Sequence, residues 1–110
     1  MGLEHIDQYE VVVVNLDPTM GSEIKKTRPC LVVSPDEINR NLRTIIIAPI
    51  TSRSKPYPTR VKIRLRDQDN WVVIDQIRTV DRRRIYKKIG KIEDSEIQEV
   101  KKIIKETLVE

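Results

Sequence analysis

Arg28 stands between Thr27 and Pro29 at the end of a long polar connection that also carries Glu23, Lys25 and Lys26. A guanidinium, a carboxylate and two ammonium groups so close in sequence could bind an anion and move a proton. The planar guanidinium fork matches phosphate oxygens bidentately and keeps its charge at any working pH. Farther along, Thr51 begins a loop rich in proline, with Ser52, Arg53 and Lys55 behind it, and its hydroxyl could hydrogen-bond a phosphate oxygen. Gln76 and Arg78 follow in the run Asp75 to Thr79. Each group also has a plainer reading. Arg28 could be a loop arginine paired with Glu23 or Asp17, and Thr51 could cap a turn. Lys62, Arg64 and Arg66 read as a solvated strand face, and Arg82 to Arg84 as a solvated turn. On residue types alone, the ion-paired reading of Arg28 is the commoner one.

The lone histidine, His5, lies in a polar N-terminal stretch, and the lone thiol, Cys30, lies inside an apolar run and reads as a buried core residue. No metal-ligand set and no His-dependent nucleophile can be assembled from these, so no metal and no cofactor are expected. Were the bound anion an RNA phosphate, the RNA would bring its own nucleophile, the ribose 2′-OH. A protein cleaving it must align that hydroxyl with the phosphorus, remove its proton and stabilise the added charge. Arg28 could supply the charge stabilisation. Which group takes the proton stays open: arginine is a poor base, while a glutamate is ionised at neutral pH and could either accept the proton or orient Arg28. Contacts from Lys25, Lys26, Arg53, Lys55 and Arg78 to phosphates would give affinity without sequence choice. Thr27, Ser52 and Gln76 are placed to read base edges, which single-stranded RNA presents and a duplex hides.

With 110 residues the chain reads as one domain, residues 1–110, with a modest core. There is no Phe, so aliphatic side chains must fill that core, and a second copy covering part of the apolar surface fits the same composition. The net charge of +4 favours a polyanionic partner, though a mild excess decides little by itself. No apolar run reaches the ~18 residues needed to span a bilayer, and the N-terminus lacks a signal-peptide core, so the expected compartment is the cytoplasm with no membrane contact.

The elements that must position these groups are mostly strands. Tyr9 to Leu16, Cys30 to Ser34 and Thr44 to Ala48 read as the first three, with Ile45, Ile46 and Ile47 suggesting a strand buried on both faces. The connection between the first two, about a dozen residues, is far longer than the usual two to five of a hairpin. Pro35 to Asn41 reads as a turn or a single helical turn. Val61, Ile63 and Leu65 alternate with Arg60, Lys62, Arg64 and Arg66, the period of a half-exposed strand. Asp67 to Asn70 reads as a turn, Trp71 to Ile77 as the returning strand, Asp81 to Arg84 as a short helical turn, and Ile85 to Ile92 as a last strand bulged at Gly90. A C-terminal helix follows, with a capping box from Ser95 to Gln98 and an apolar face of Ile97, Val100, Ile103, Ile104 and Leu108. The expected fold is mainly β, a small bent antiparallel barrel closed by a C-terminal helix.

Three stretches, LDPTMGSEIKKTRPCLVVS, IIIAPITS and DQIRTVDRRRIYKKIGKI, in this order and at this spacing, resemble the three blocks of the MazF/PemK toxins. That resemblance spans nearly the whole chain. It implies an SH3-like barrel and a sequence-specific, ribosome-independent endoribonuclease (mRNA interferase) acting without metal and leaving a 2′,3′-cyclic phosphate and a 5′-hydroxyl. It further implies that Arg28 and Thr51 form the catalytic pair with Glu23 implicated, that the toxin is a homodimer, and that a cognate MazE-like antitoxin with an acidic disordered tail neutralises it. The family often has Gln and a glycine or alanine pair where this chain has Ile24, Lys25 and Lys26. A non-catalytic gyrase poison resembling CcdB, or an RNA-binding barrel on the same fold, is the alternative.

Overall fold

The computed structural model describes residues 5–16 and 27–109. Seven strands, β1 (Glu10–Asn15), β2 (Thr27–Val32), β3 (Thr44–Thr51), β4 (Arg60–Leu65), β5 (Gln68–Val73), β6 (Arg78–Asp81) and β7 (Ile85–Lys91), form one curled antiparallel sheet. Its order is β4-β5-β3-β2-β1-β7, with β6 paired to β3 beside β5. A short helix, α1 (Asp36–Asn41), links β2 to β3, and α2 (Asp94–Ile104) closes the chain before a final π-type turn, Lys105–Val109. The expected mainly-β, bent-sheet architecture with one terminal helix is the observed one.

Both faces of the central strands are buried, and neighbouring residues divide between two clusters. Val11, Leu31, Ala48, Ile50, Val61, Ile63 and Val72 pack on one side with Val100 and Ile103 of α2. Val12, Val14, Cys30, Val32, Ile45, Ile47, Val80 and Ile85 pack on the other. Period-two alternation therefore sorts apolar side chains into two cores. Cys30 is fully buried, as its apolar setting suggested.

Strand β3 runs past the expected end at Ala48, through Pro49 to Thr51. A proline inside a strand removes a ladder donor and is normally confined to edges or bulges. Here the register explains it. Val33 N donates to Ile46 O at 2.9 Å, and Ile46 N donates to the Ser34 hydroxyl, so the even residues of β3 direct their backbone bonds toward β2. The odd residues face the opposite edge. There β6 pairs with Thr44–Ile47, and β5 takes over at Ile50 and Thr51. Pro49 is the odd residue at the gap between the two partners, where an N–H would have gone unpaired.

Other boundaries differ from the sequence reading. The turn between β4 and β5 is Arg66–Asp67, both at positive φ (54° and 63°), so the returning strand starts at Gln68 and not at Trp71. It ends at Val73, and Ile74–Gln76 is a 3-10 turn. The pairing of β7 with β1 shifts register twice: Val11 faces Gly90 and Val12 faces Lys88, which leaves Ile89 unopposed, and Val13 faces Lys87 and Val14 faces Ile85, which leaves Tyr86 unopposed. Asp81 caps the turn Arg82–Arg84 by accepting from Arg83 N at 2.8 Å. The helix box is shifted: Glu93 is the N-cap and Glu96 its reciprocal partner, in place of Ser95 and Gln98. Leu108 is exposed, because the helix geometry changes after Ile104.

Glu96 has a second task. Its Oε1 accepts from Glu93 N and its Oε2 from Arg64 N, both at 2.8 Å, which joins the start of α2 to the outer edge of β4. Glu96→Ala removes both bonds and should destabilise the fold by about 1 kcal/mol or more. Urea denaturation of the variant beside wild type checks this, and an unchanged midpoint would refute it.

Candidate active site

Cys30 lies opposite Pro49 in the β2–β3 ladder. Two residues farther out on their strands stand Arg28 and Thr51. Arg28 and Thr51 line two adjoining hollows together. One, of about 370 Å³, is walled by Arg53, Arg60, Gln76 and Arg78 over Pro49, Leu16 and Val73. The other, of about 380 Å³, is bounded by Thr27, Pro29, Ile50, Ser52 and Asn70. The first hollow gathers four guanidinium groups and, among the described residues that line it, no carboxylate.

The fold explains how these groups meet. Arg28 is carried by the outer end of β2. Thr51 and Arg53 sit where β3 ends and the loop to β4 begins. Gln76 and Arg78 come from the 3-10 turn and from the start of β6, where Arg78 faces Ile47. They reach the site because β5 and β6 share one edge of β3, and the turn between them fills the gap at Pro49.

Two residues that the sequence reading did not single out hold this arrangement. Asp75 Oδ1 accepts from the Thr59 hydroxyl at 2.8 Å and from Arg60 Nε at 3.4 Å. Arg60 also donates through Nη1 to the Ser54 hydroxyl at 3.1 Å, and its guanidinium lies over the Tyr57 ring, 5.1 Å from the centroid. The loop from Ser52 to Thr59 is thus fastened to the turn that carries Gln76. Alternation showed Arg60 as one cation of a basic face, but not that it begins its strand beside the site. Lys62 and Arg64, farther along, pair with Asp69 at 3.4 and 3.1 Å, which agrees with their solvated-face reading.

Thr51 has a local role as well. Its hydroxyl donates to Arg53 O at 3.0 Å and accepts from Arg53 N at 3.2 Å. The turn-capping reading thus describes this structure, and donation to a ligand would require an exchange of the bond to Arg53 O. Of the remaining sequence candidates, Lys55 lies in the exposed loop outside both linings, and Glu23, Lys25 and Lys26 fall outside the described residues.

A model of the PemK-like, MazF-like toxins of type II toxin–antitoxin systems matches residues 7–108. The chain belongs to that family. It is 33% identical over 101 residues to the Endoribonuclease MazF of Staphylococcus saprophyticus, a match spanning 86% of this chain and 84% of that protein. The crystal structure of MazF from Deinococcus radiodurans superposes with a TM-score of 0.78 at 28% identity, covering 94% of this chain and 96% of that one. MazF in the MazE–MazF complex of the same organism gives 0.77 at 25% identity, covering 94% and 95%. The MazF-like toxin fold therefore spans nearly the whole chain, and the two hollows over Arg28 and Thr51 lie within it.

Electrostatics around the site are set by burial and by the Asp75 contacts. Burial pushes the Cys30 thiol, just beneath, up to about 12, and the nearby Arg28 and Arg78 guanidinium groups only partly oppose this. The thiol stays protonated through neutral pH. Iodoacetamide should leave native protein unlabelled at pH 8 and label it rapidly in denaturant; fast native labelling would show that Cys30 is reachable. Because the folded thiol titrates above its unfolded counterpart, its contribution to stability is constant below about pH 8.5 and falls as pH rises toward 12.

The Asp75 carboxyl is held below its ordinary value, first by the Thr59 hydroxyl and then by contacts that include Arg60. That contribution is present above the unfolded carboxylate value of about 3.9 and fades as pH falls through the lower folded value. Opening of residues 52–60, read as amide exchange divided by the intrinsic rate at each pH, should accelerate on such acidification. Asp75→Asn should accelerate it already at pH 7 and remove the acid dependence; equal exchange in variant and wild type would show that the tether does not hold the loop.

Proposed function

We propose that this MazF-like toxin is an endoribonuclease that cuts single-stranded RNA at a short sequence by transesterification, with Arg28 and Thr51 at the scissile phosphate. The observation that carries the reading is the cross-strand meeting of Arg28 and Thr51 in hollows walled by Arg53, Arg60 and Arg78. The ribose 2′-OH gives up its proton and attacks the adjacent phosphorus, the P–O5′ bond breaks with the leaving oxygen taking a proton from solvent, and the products are a 2′,3′-cyclic phosphate and a 5′-hydroxyl. No water is consumed in this step. The Arg28 fork bears the charge added to the non-bridging oxygens, carried there by the outer end of β2. Thr51 donates to the same phosphate after giving up its bond to Arg53 O. Glu23 is the candidate to accept the 2′-OH proton or to orient Arg28.

Arg53 and Arg78 would hold flanking phosphates. Gln76, Ser52 and Thr27 would meet base edges, with Lys25, Lys26 and Lys55 adding charge along the strand. The chain works in this reading as a cytoplasmic homodimer, neutralised by a MazE-like antitoxin whose acidic disordered tail competes for the basic hollows. The MazE–MazF complex of Deinococcus radiodurans supports a partner of that class. Among the described residues no helix is long and apolar enough to cross a membrane.

Purified protein incubated with long single-stranded RNA in excess EDTA should give discrete cuts at one short motif, mapped by primer extension. Arg28→Ala should lose at least about a hundredfold in rate with its circular dichroism unchanged. Arg28→Lys should also fail, since a point charge does not reproduce a bidentate contact. Thr51→Ala should be strongly impaired. Absence of cutting by folded wild type would transfer the reading to a non-catalytic toxin on the same fold, and gyrase inhibition would be assayed next.

A further inference from the structure

The hollow bounded by Thr27, Pro29 and Asn70 does not end there. The same three residues also line a third hollow, of about 360 Å³, which extends beneath the β4–β5 turn toward β7. The hollow at Arg28 and Thr51 thus shares residues with both others: Arg28 and Thr51 with the arginine-walled one, and Thr27, Pro29 and Asn70 with this one, around the outer end of β2. We propose that the third hollow is a nucleotide subsite, holding one unpaired base of the RNA to one side of the phosphate at Arg28 and Thr51. The proposal rests on the nuclease reading above and names a recognition element for it.

Its lining matches the three surfaces of a nucleotide. Leu65 and Ile89, half-buried against the core, give an apolar wall for the face of a base. Gln68 and Asn70 offer amides, each with donors and an acceptor, for the polar edge of a base. Asn70 is buried at 8% exposure, and its Nδ2 donates to Gln68 O at 3.2 Å, which orients the amide. Arg66 and Lys87 stand at the hollow as cations for the adjoining phosphates.

Charge on this hairpin is not uniform. Lys62 and Arg64 are compensated by Asp69, whereas Arg66 and Lys87 pair with no carboxylate among the described residues. Arg66 also owes its position to an uncommon turn. With Leu65 opposite Gln68, the two residues between them occupy left-handed backbone positions usually given to Asn-Gly. A side chain at such a position carries a conformational cost, and here the turn fixes where Arg66 stands at the hollow.

The test uses RNAs spanning a mapped cut and shortened one nucleotide at a time from each end, with wild type, Gln68→Ala, Lys87→Ala and Asn70→Asp. Removal of one particular nucleotide should lower wild-type kcat/KM about tenfold or more. Gln68→Ala and Lys87→Ala should show that loss on full-length RNA and no further loss on the shortened one. Asn70→Asp should change which base is preferred there. Equal kcat/KM for variants and wild type on every RNA would overturn the subsite. So would normal cutting by Lys87→Ala with lost inhibition by an acidic antitoxin peptide, which would assign the hollow to a protein.

A second arm separates this inference from the cleavage reading. Fully 2′-O-methylated RNA carrying 4-thiouridine cannot be cut, and under near-ultraviolet light it should cross-link to the peptides containing Gln68 to Asn70 or Lys87. Such cross-links in a protein that cuts no RNA would keep the subsite and discard the nuclease. Bound RNA with cross-links only elsewhere would discard the subsite.

Discussion

Everything in this structure depends on how one strand satisfies its backbone. Strand β3 has a single partner on one edge and two on the other, and it changes between them at Pro49, the residue with no N–H to leave unpaired. Because the sheet opens at that point, the chain can leave β5, make a 3-10 turn and return as β6 beside the same strand. Gln76 and Arg78 reach the hollow by that route. A continuous β5 along the full edge of β3 would leave no place for either. The proline that would usually argue against a central strand is thus the residue around which the site is built.

Gathering guanidinium groups around one hollow costs electrostatic energy unless something opposes it. Asp75 serves this purpose from behind the wall, binding Arg60 and Thr59 while contributing nothing to the lining itself. Arg60 then orders Ser54 and Tyr57, so a single carboxylate fixes a loop that would otherwise repel its own cations. Arg60 divides its charge between that tether and the hollow, whereas Arg28, Arg53 and Arg78 have no carboxylate partner among the described residues. The positive field is therefore concentrated on the hollow beside Thr51.

Much of this was legible in the residues. The isoleucine run placed β3 in the centre, alternation placed β4 with one apolar and one charged face, and Arg28, Thr51, Arg53, Gln76 and Arg78 were identified and do line one hollow. What was missed depends on distance across the fold. Arg60 resembled its neighbours Lys62 and Arg64 because a period of two reveals the face of a residue and not its end of the strand. Asp75 could not be recognised as a tether before β4 and the turn after β5 were known to be adjacent. The helix cap was assigned to Ser95 because serine is the commoner residue there, but the box sits two residues earlier, at Glu93, with Glu96 also accepting from Arg64 N. The β4–β5 turn was placed too late because Arg66 and Asp67 are not residues that announce left-handed backbone. Glu23, Lys25 and Lys26 fall outside the described residues.

The pair of hydrogen bonds accepted by Glu96 also bears on how the molecule behaves when it is crowded. An outer strand presents backbone donors and acceptors to which another chain can add, and such edges are common starting points for aggregation. In β4 one of those donors, Arg64 N, is already occupied by the first turn of α2. The C-terminal helix therefore acts as a cover for the sheet edge as well as a lid for the core. Loss of the helix start, by truncation or proteolysis, would uncover a strand with a fully apolar inner face and a free outer rim, the combination from which intermolecular β-pairing grows.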